Sequence, residues 1–418
     1  MVNKTILANG IRVVSEEINH VRSVSIGVWV RCGSRHEDGA SSGIAHFIEH
    51  MLFKGTRKRS PLEIASAIDV VGGVMNASTG KESTAFYIKV PDYSLDLAIE
   101  LLADIFKDSR FRSEDIEKEK SVVQQEIRLL EDSPDEYVHD FFESQFWDGH
   151  PLARPIMGTH DSVASLNRRK VLRFFDHNYR GKNLVISVAG QVKHDQLIDL
   201  VSRHFGAIAG MEEEVPDIPP RSSVMTSTMN KDLEQIHLII GCSAPSSIDP
   251  RRYASFLMNA LLGGSMSSRL FQEIREKRGL VYDIQSYLNA YLDTGMLGIY
   301  AGTGEEQVRE VIRLVLREME RLRNDSLTDK ELRDAKEMIK GNFLLSMEST
   351  DNRMTRLAKN EFCFGRQILW DEVIERIEAV TPKDIHDLAS EMFAPDRLSM
   401  VAVGRVSPEV AEEMRGKA

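Results

Sequence analysis

The chain has 418 residues, 42% of them hydrophobic and 28% charged, with a formal net charge of −11. That length exceeds one ordinary core and suits two domains of about 200 residues. The acidic balance argues against nucleic acid as the main partner, no apolar run reaches the length of a membrane span, and three scattered cysteines, Cys32, Cys242 and Cys363, fit reduced thiols rather than a disulfide frame.

The N-terminus runs straight into strand-like sequence. It shows neither a basic segment leading into an apolar one nor an Arg/Ser-rich transit segment, so the expected compartment is the cytoplasm. Thr5 to Ala8 and Ile11 to Val14 flank Asn9-Gly10, which predicts a hairpin with a type I′ turn. Ser23 to Cys32 alternates apolar Val24, Ile26, Val28 and Val30 and reads as a half-buried strand. A helix carrying His46 follows and stops near Gly55. A second spans Pro61 to Val71 and ends at Gly72-Gly73. Strands at Val74 to Thr79 and Ser83 to Val90 come next, then helices from about Ser94 to Phe106 and from Ser113 to Leu130.

The second half repeats this order. A strand at Ile236 to Cys242 precedes helices at Arg251 to Leu262 and Ser268 to Lys277. Strands at Val281 to Tyr291 and Gly295 to Thr303 then lead into a long helix from about Glu305. Duplication of one unit is the simplest source of this repeat. The expected fold class is therefore α+β, two duplicated domains each made of an antiparallel-rich sheet with helices packed on it. Residues 211–220 hold four acidic residues and three prolines and read as an extended linker. The expected boundaries are residues 1–212, a linker at 213–224, and 225–418.

His46-Phe47-Ile48-Glu49-His50 carries the chemistry. Imidazoles four residues apart on a helix project from one face, a spacing that suits two corners of a zinc site. Glu49 shares that face and is placed to act as a general base for hydrolysis. Ile44, Phe47, Ile48, Met51 and Leu52 form an apolar stripe nearly opposite, so the core takes one face and the histidines keep the other. Phe53 lies on the histidine face, as pocket wall or as core. Catalytic zinc needs a third protein ligand. Glu119 and Glu126 share a face of the Ser113 to Leu130 helix but stand about 10 Å apart along its axis. One of them can ligate while the other orients a ligand histidine or lines the cleft; residue spacing alone leaves the choice open. His139, His150, His160, His177 and His194 fit no ligand spacing. Arg251 to Leu262, the counterpart of the motif helix, has neither His nor Glu.

H-x-x-E-H is the inverted-zincin signature, and nearly the whole chain resembles the pitrilysin family, which includes insulin-degrading enzyme and the mitochondrial processing peptidases. The resemblance runs through Gly43 to Thr56, Gly72 to Thr79, Pro151 to Thr159 and Arg275 to Tyr282. It implies a zinc metalloendopeptidase with one Zn2+ per chain. Its third ligand would be the glutamate 76 positions beyond His50, Glu126, and Glu119 would be a second acid needed for activity. It also implies that extended peptide substrates lie along the Val74 to Thr79 edge strand at Asn76 and Ala77, through backbone hydrogen bonds. Tyr282 would stabilise the oxyanion and Arg275 would hold a substrate carbonyl. In half-size members two chains close into a shell and this pair reaches the opposite chain's zinc. The expectation is a homodimer with composite active sites, with a heterodimer as the alternative. Catalytically silent relatives, like the core subunits of the cytochrome b–c complex, have damaged zinc motifs; here His46, Glu49, His50 and Glu126 are all present.

Overall fold

The computed structural model describes residues 2–210, 219–325 and 327–417. They divide into two compact units, and neither is continuous in sequence. Among the described residues, the first unit takes 2–129, 154–210 and 346–367, and the second takes 130–153, 219–345 and 368–417. Each unit therefore includes a segment embedded in the other's stretch of sequence, where contiguous boundaries were expected. Of the linker, positions 213–218 lie outside the described residues.

The first unit is built on six strands: β1 (Val2–Ile6), β2 (Arg12–Glu17), β3 (Ser23–Val30), β4 (Val74–Thr79), β5 (Thr84–Pro91) and β6 (Leu184–Gly190). Their order is β1-β2-β6-β3-β5-β4. Only β2 and β6 run parallel; every other neighbouring pair is antiparallel. The turn before β2 differs from the expected type I′. Gly10 alone takes a positive φ, +88°, its N–H donates to the Leu7 carbonyl, and the Leu7 N–H donates to the Ile11 carbonyl. This is a three-residue loop with glycine at the left-handed position, which spares Asn9 that conformation.

The alternation in β3 predicts one solvated face, yet the strand is buried on both. Val24, Ile26, Val28 and Val30 join the main core with Phe47, Ile48, Met51 and the Leu95–Asp108 helix. The opposite face is covered by the Thr350–Phe364 helix, more than 300 residues later in the chain. Ser25 Oγ lies 2.8 Å from Thr350 Oγ1 and donates to Asp351 Oδ1 at 2.5 Å, so the polar position is satisfied without water. A Cβ on Gly27 would lie 2.5 Å from Met354 Sδ and 2.6 Å from Trp29 Nε1, so the side chains of Met354 and Trp29 fill the space over this glycine.

The second unit holds β7 (Thr226–Asn230), β8 (Ile236–Ala244), β9 (Val281–Ala290), β10 (Gly295–Thr303) and β11 (Ser399–Gly404), in the order β7-β11-β8-β10-β9. Its one parallel pair is β7 with β11. Strand for strand this matches β2-β6-β3-β5-β4, including which pair is parallel, and the expected duplication is visible in the topology. The covering helix here is Pro134–Phe146, whose Val138, Phe142 and Phe146 pack with Ile239, Met296 and Val401. Among the described residues, no helix is long and apolar enough to cross a membrane.

Two histidines are enclosed in that second face. His139 Nδ1 lies 2.9 Å from the Tyr287 hydroxyl, His237 Nδ1 lies 2.9 Å from the Tyr300 hydroxyl, and the His139 ring stacks on Tyr300. Burial lowers both pKa values from the ordinary 6.5, against the opposing pull of Asp135 and, for His139, Glu143. Between the lowered folded values and 6.5 the unfolded chain binds more protons. The contribution of this pair to stability is thus complete above 6.5 and declines as pH falls below it. Between about pH 7.5 and about pH 5.5 the metal-free protein is expected to lose thermal stability relative to a variant with both histidines replaced by glutamine, read as the difference between their two midpoints at each pH.

Candidate active site

The motif helix, Ile44–Leu52, is only nine residues long. Ile44, Phe47, Ile48, Met51 and Leu52 are all buried in the core, as their spacing predicts. The histidine face looks toward the Ser113–Glu131 helix. That helix buries Ile116, Glu119, Val123 and Ile127 along one stripe, so Glu119 occupies a core position and is 3% exposed.

The two acids take different places. Glu126 Oε2 lies 3.9 Å from His46 Nε2 and 3.7 Å from His50 Nε2. One ligand atom from each of His46, His50 and Glu126 falls within 4.8 Å of the others, and they are the single group of three potential metal ligands among the described residues. Glu119 instead faces the far side of the imidazole. Its Oε1 is 2.8 Å from His50 Nδ1, and its Oε2 is 2.7 Å from Lys54 Nζ.

This donor set fits zinc. Two imidazoles and a carboxylate form one of the ligand triads of catalytic zinc sites. Glu126 Oε2 is buried and makes no hydrogen bond, which is costly for a carboxylate oxygen without a cation. Burial, followed by the repulsion of His50, lowers the His46 pKa to about 4, so its imidazole is neutral and available as a ligand at neutral pH. Burial also pushes His50 downward, but the bond to Glu119 and the charges of Glu126, Glu119 and Glu49 outweigh it and raise its pKa. Glu119 is itself held low: burial raises it, but hydrogen bonds with His50 and Lys54 prevail. A carboxylate on the second ring nitrogen fixes the tautomer and orientation of a ligand histidine.

Glu49 lies within electrostatic reach of His50 and Glu126. It accepts a hydrogen bond from Thr79 Oγ1, at the end of β4. Burial raises its pKa, with Thr79 and His50 pulling the other way. β4 is the edge strand of the sheet, and Val74, Asn76 and Ser78 face outward. The Ala77 N–H donates to the Asn76 side-chain oxygen at 2.8 Å. Phe53 ends the motif helix and packs on Phe86, with ring centroids 6.0 Å apart, so much of its ring serves the core.

Arg275 and Tyr282 belong to the second unit. Arg275 lies in the π-helical turn Phe271–Glu276, and Tyr282 lies on β9 and is 79% exposed. The guanidinium carbon is 5.6 Å from the Tyr282 ring centroid and 4.7 Å from that of Phe271. The two residues expected to act together are thus neighbours.

Three residues escaped the sequence reading. Lys54 stands four positions after His50, a helical spacing that points to a shared face. Thr79 alternates with Ala77 on β4 and so points to the same side. Glu37 accepts from the Gly43 and Ala45 N–H groups at 2.7 and 2.8 Å, and nothing in its local sequence announces that.

Residues 12–160 match the family model described as insulinase (peptidase family M16), and residues 165–339 match the one described as peptidase M16 inactive domain. The chain is 40% identical over 408 residues to YmxG of Bacillus subtilis, covering 98% of each chain. It is 37% identical over 421 residues to a protein of Streptomyces coelicolor, covering 99% of this chain and 92% of that one. Both relatives are described as uncharacterized zinc proteases. A crystal structure of a protease from Helicobacter pylori superposes with a TM-score of 0.91 at 23% identity, over 96% of this chain and 99% of that chain, which shows a shared fold. With its H-x-x-E-H helix, its duplicated α+β units and full-length relatives of this kind, the chain belongs to the insulinase family, peptidase family M16.

Proposed function

We propose that the chain is a zinc-dependent endopeptidase that cleaves extended or unfolded peptides. The observation that carries this reading is the convergence of His46, His50 and Glu126 beside Glu49, whose carboxyl is tied to the end of an exposed sheet edge. The three ligand residues would hold one zinc ion, which when bound supplies a Lewis acid for the scissile carbonyl and for water. Glu49 takes a proton from the attacking water and returns it to the leaving amine. Glu119 keeps His50 oriented, with Lys54 as its counter-charge. The peptide lies along β4 and pairs with its outer edge. Asn76 yields the Ala77 N–H to the substrate backbone, and Phe53 borders the cleavage point.

Arg275 and Tyr282 complete the site from a second copy of the chain. Tyr282 donates to the developing oxyanion and Arg275 holds a substrate carbonyl. The working form is then a homodimer with two composite sites, each enclosing peptide within the paired shell. Cys32, Cys242 and Cys363 form no disulfide, which suits a reducing compartment such as the cytoplasm.

Inactive Glu49→Gln and inactive Tyr282→Phe chains, mixed under subunit exchange, are expected to recover about a quarter of wild-type activity. Random pairing makes half of the dimers mixed, and each mixed dimer has one intact site. No recovery in dimers shown to have exchanged rejects the assignment of Tyr282 to the opposite chain.

A further inference from the structure

The motif helix begins without a side-chain cap of its own. Gly43 precedes it at φ +88° and offers no side-chain acceptor, yet the first-turn N–H groups of any helix need partners. Glu37 supplies them from outside the helix. Its Oε2 accepts from the Gly43 N–H at 2.7 Å and its Oε1 from the Ala45 N–H at 2.8 Å, and the residue is 4% exposed. A buried carboxyl spent on two backbone groups is costly for a fold to keep. Here it sits one residue away from His46.

The surroundings make Glu37 a junction. Its carbonyl accepts from Arg154 Nη1, and the Arg154 carbonyl accepts from Lys81 Nζ at 2.7 Å. The turn after β4 is bound to the same loop: the Ser34 N–H donates to the Gly80 carbonyl at 3.2 Å and the Arg35 N–H to the Lys81 carbonyl at 2.8 Å. Thr79, which holds Glu49, immediately precedes that turn. Gly43 and Gly158 press together: a Cβ on Gly43 would lie 2.4 Å from the Met157 carbonyl oxygen, and one on Gly158 would lie 2.3 Å from that of Ser42. The helix start is thus held by the Glu37 carboxyl, and the turn after β4 and Arg154 are bound to the backbone of residues 34–37.

We propose that Glu37 is a positioning residue of the active site. Its two oxygens hold the first turn of the motif helix where His46, Glu49 and His50 meet Glu126 and the end of β4. It touches neither metal nor substrate and acts through the helix backbone. The inference rests on the zinc-peptidase reading.

Glu37→Gln in the full-length chain is the test. A carboxyl can accept through both oxygens whether or not it is protonated, whereas the amide nitrogen of glutamine cannot accept. One first-turn N–H is then stranded and the helix start shifts. Zinc affinity by chelator competition is expected to fall roughly tenfold, at the low end of what outer-shell changes cause. The visible spectrum of the cobalt-substituted protein is expected to change, and kcat is expected to fall with KM retained. Glu37→Ala, which removes both acceptors, is expected to exceed the glutamine variant in every readout. A folded Glu37→Gln chain with wild-type zinc affinity and cobalt spectrum overturns the assignment. Loss of global folding in both variants also overturns it, because the role is then general stability. A wild-type chain that binds no zinc fails at the level of the peptidase reading, which separates the two results.

Discussion

Glu49→Gln is expected to keep the metal and lower peptide hydrolysis by roughly 10²- to 10⁴-fold, the range attributed to a positioned general base. The substitution preserves the shape of the side chain and leaves an oxygen to accept from Thr79, so the motif helix and the edge strand remain tied. What disappears, on the proposed mechanism, is the proton shuttle. Burial raises the Glu49 pKa while the Thr79 hydroxyl and His50 restrain it. A carboxyl held above its usual range is a better match to a proton that must be taken up and released near neutral pH. Glu49 is not one of the three converging side chains proposed as ligands, so metal content is expected to stay at the wild-type level. The measurement pairs metal analysis with kcat on a set of short peptides. Equal turnover by the two proteins sinks the mechanism, and a variant that has lost its metal makes Glu49 part of the metal's binding instead.

Much of this site is legible in the residues because helices and strands separate their faces by simple periods. The stripe Ile44, Phe47, Ile48, Met51, Leu52 assigns one side of a nine-residue helix to the core and leaves His46 and His50 on the other. The bounds of β4 and β10 match the expected Val74 to Thr79 and Gly295 to Thr303, both set off by glycines. What local sequence does not carry is the identity of distant neighbours. The polar positions of β3 look solvated until the Thr350–Phe364 helix covers them, and Ser25 exchanges water for Thr350 and Asp351. The units interleave for the same reason: Pro134–Phe146 buries Val138, Phe142 and Phe146 against β8, β10 and β11, contacts that no contiguous boundary anticipates. Glu37 is hidden likewise, since a cap arriving from outside the helix leaves no mark on the helix's own sequence. The Asn9-Gly10 turn fails differently. Its composition allows two loop geometries, and the one adopted needs left-handed backbone only at the glycine.

The choice between Glu119 and Glu126 gives the other large expected effect. Both acids lie on one face of one helix, and spacing leaves either free to be the ligand. The structure separates them by the histidine nitrogen each approaches: Glu126 stands near Nε2 of His46 and of His50, while Glu119 bonds Nδ1 of His50. Removing a ligand from a three-residue donor set is a different event from loosening an oriented histidine. Glu126→Gln is therefore expected to abolish stoichiometric zinc binding at micromolar protein and, with it, hydrolysis. Glu119→Gln is expected to weaken zinc roughly 10- to 100-fold, as outer-shell changes do, and activity is expected to return when zinc is added in excess. The amide can still meet His50 Nδ1 through its oxygen, but it loses the charge that Lys54 balances. Zinc titrations with a chromophoric chelator, run beside peptide hydrolysis at low and high free zinc, distinguish the two. If Glu119→Gln is the variant that excess zinc cannot rescue, and Glu126→Gln the one it can, the ligand and the orienting acid have been assigned the wrong way round.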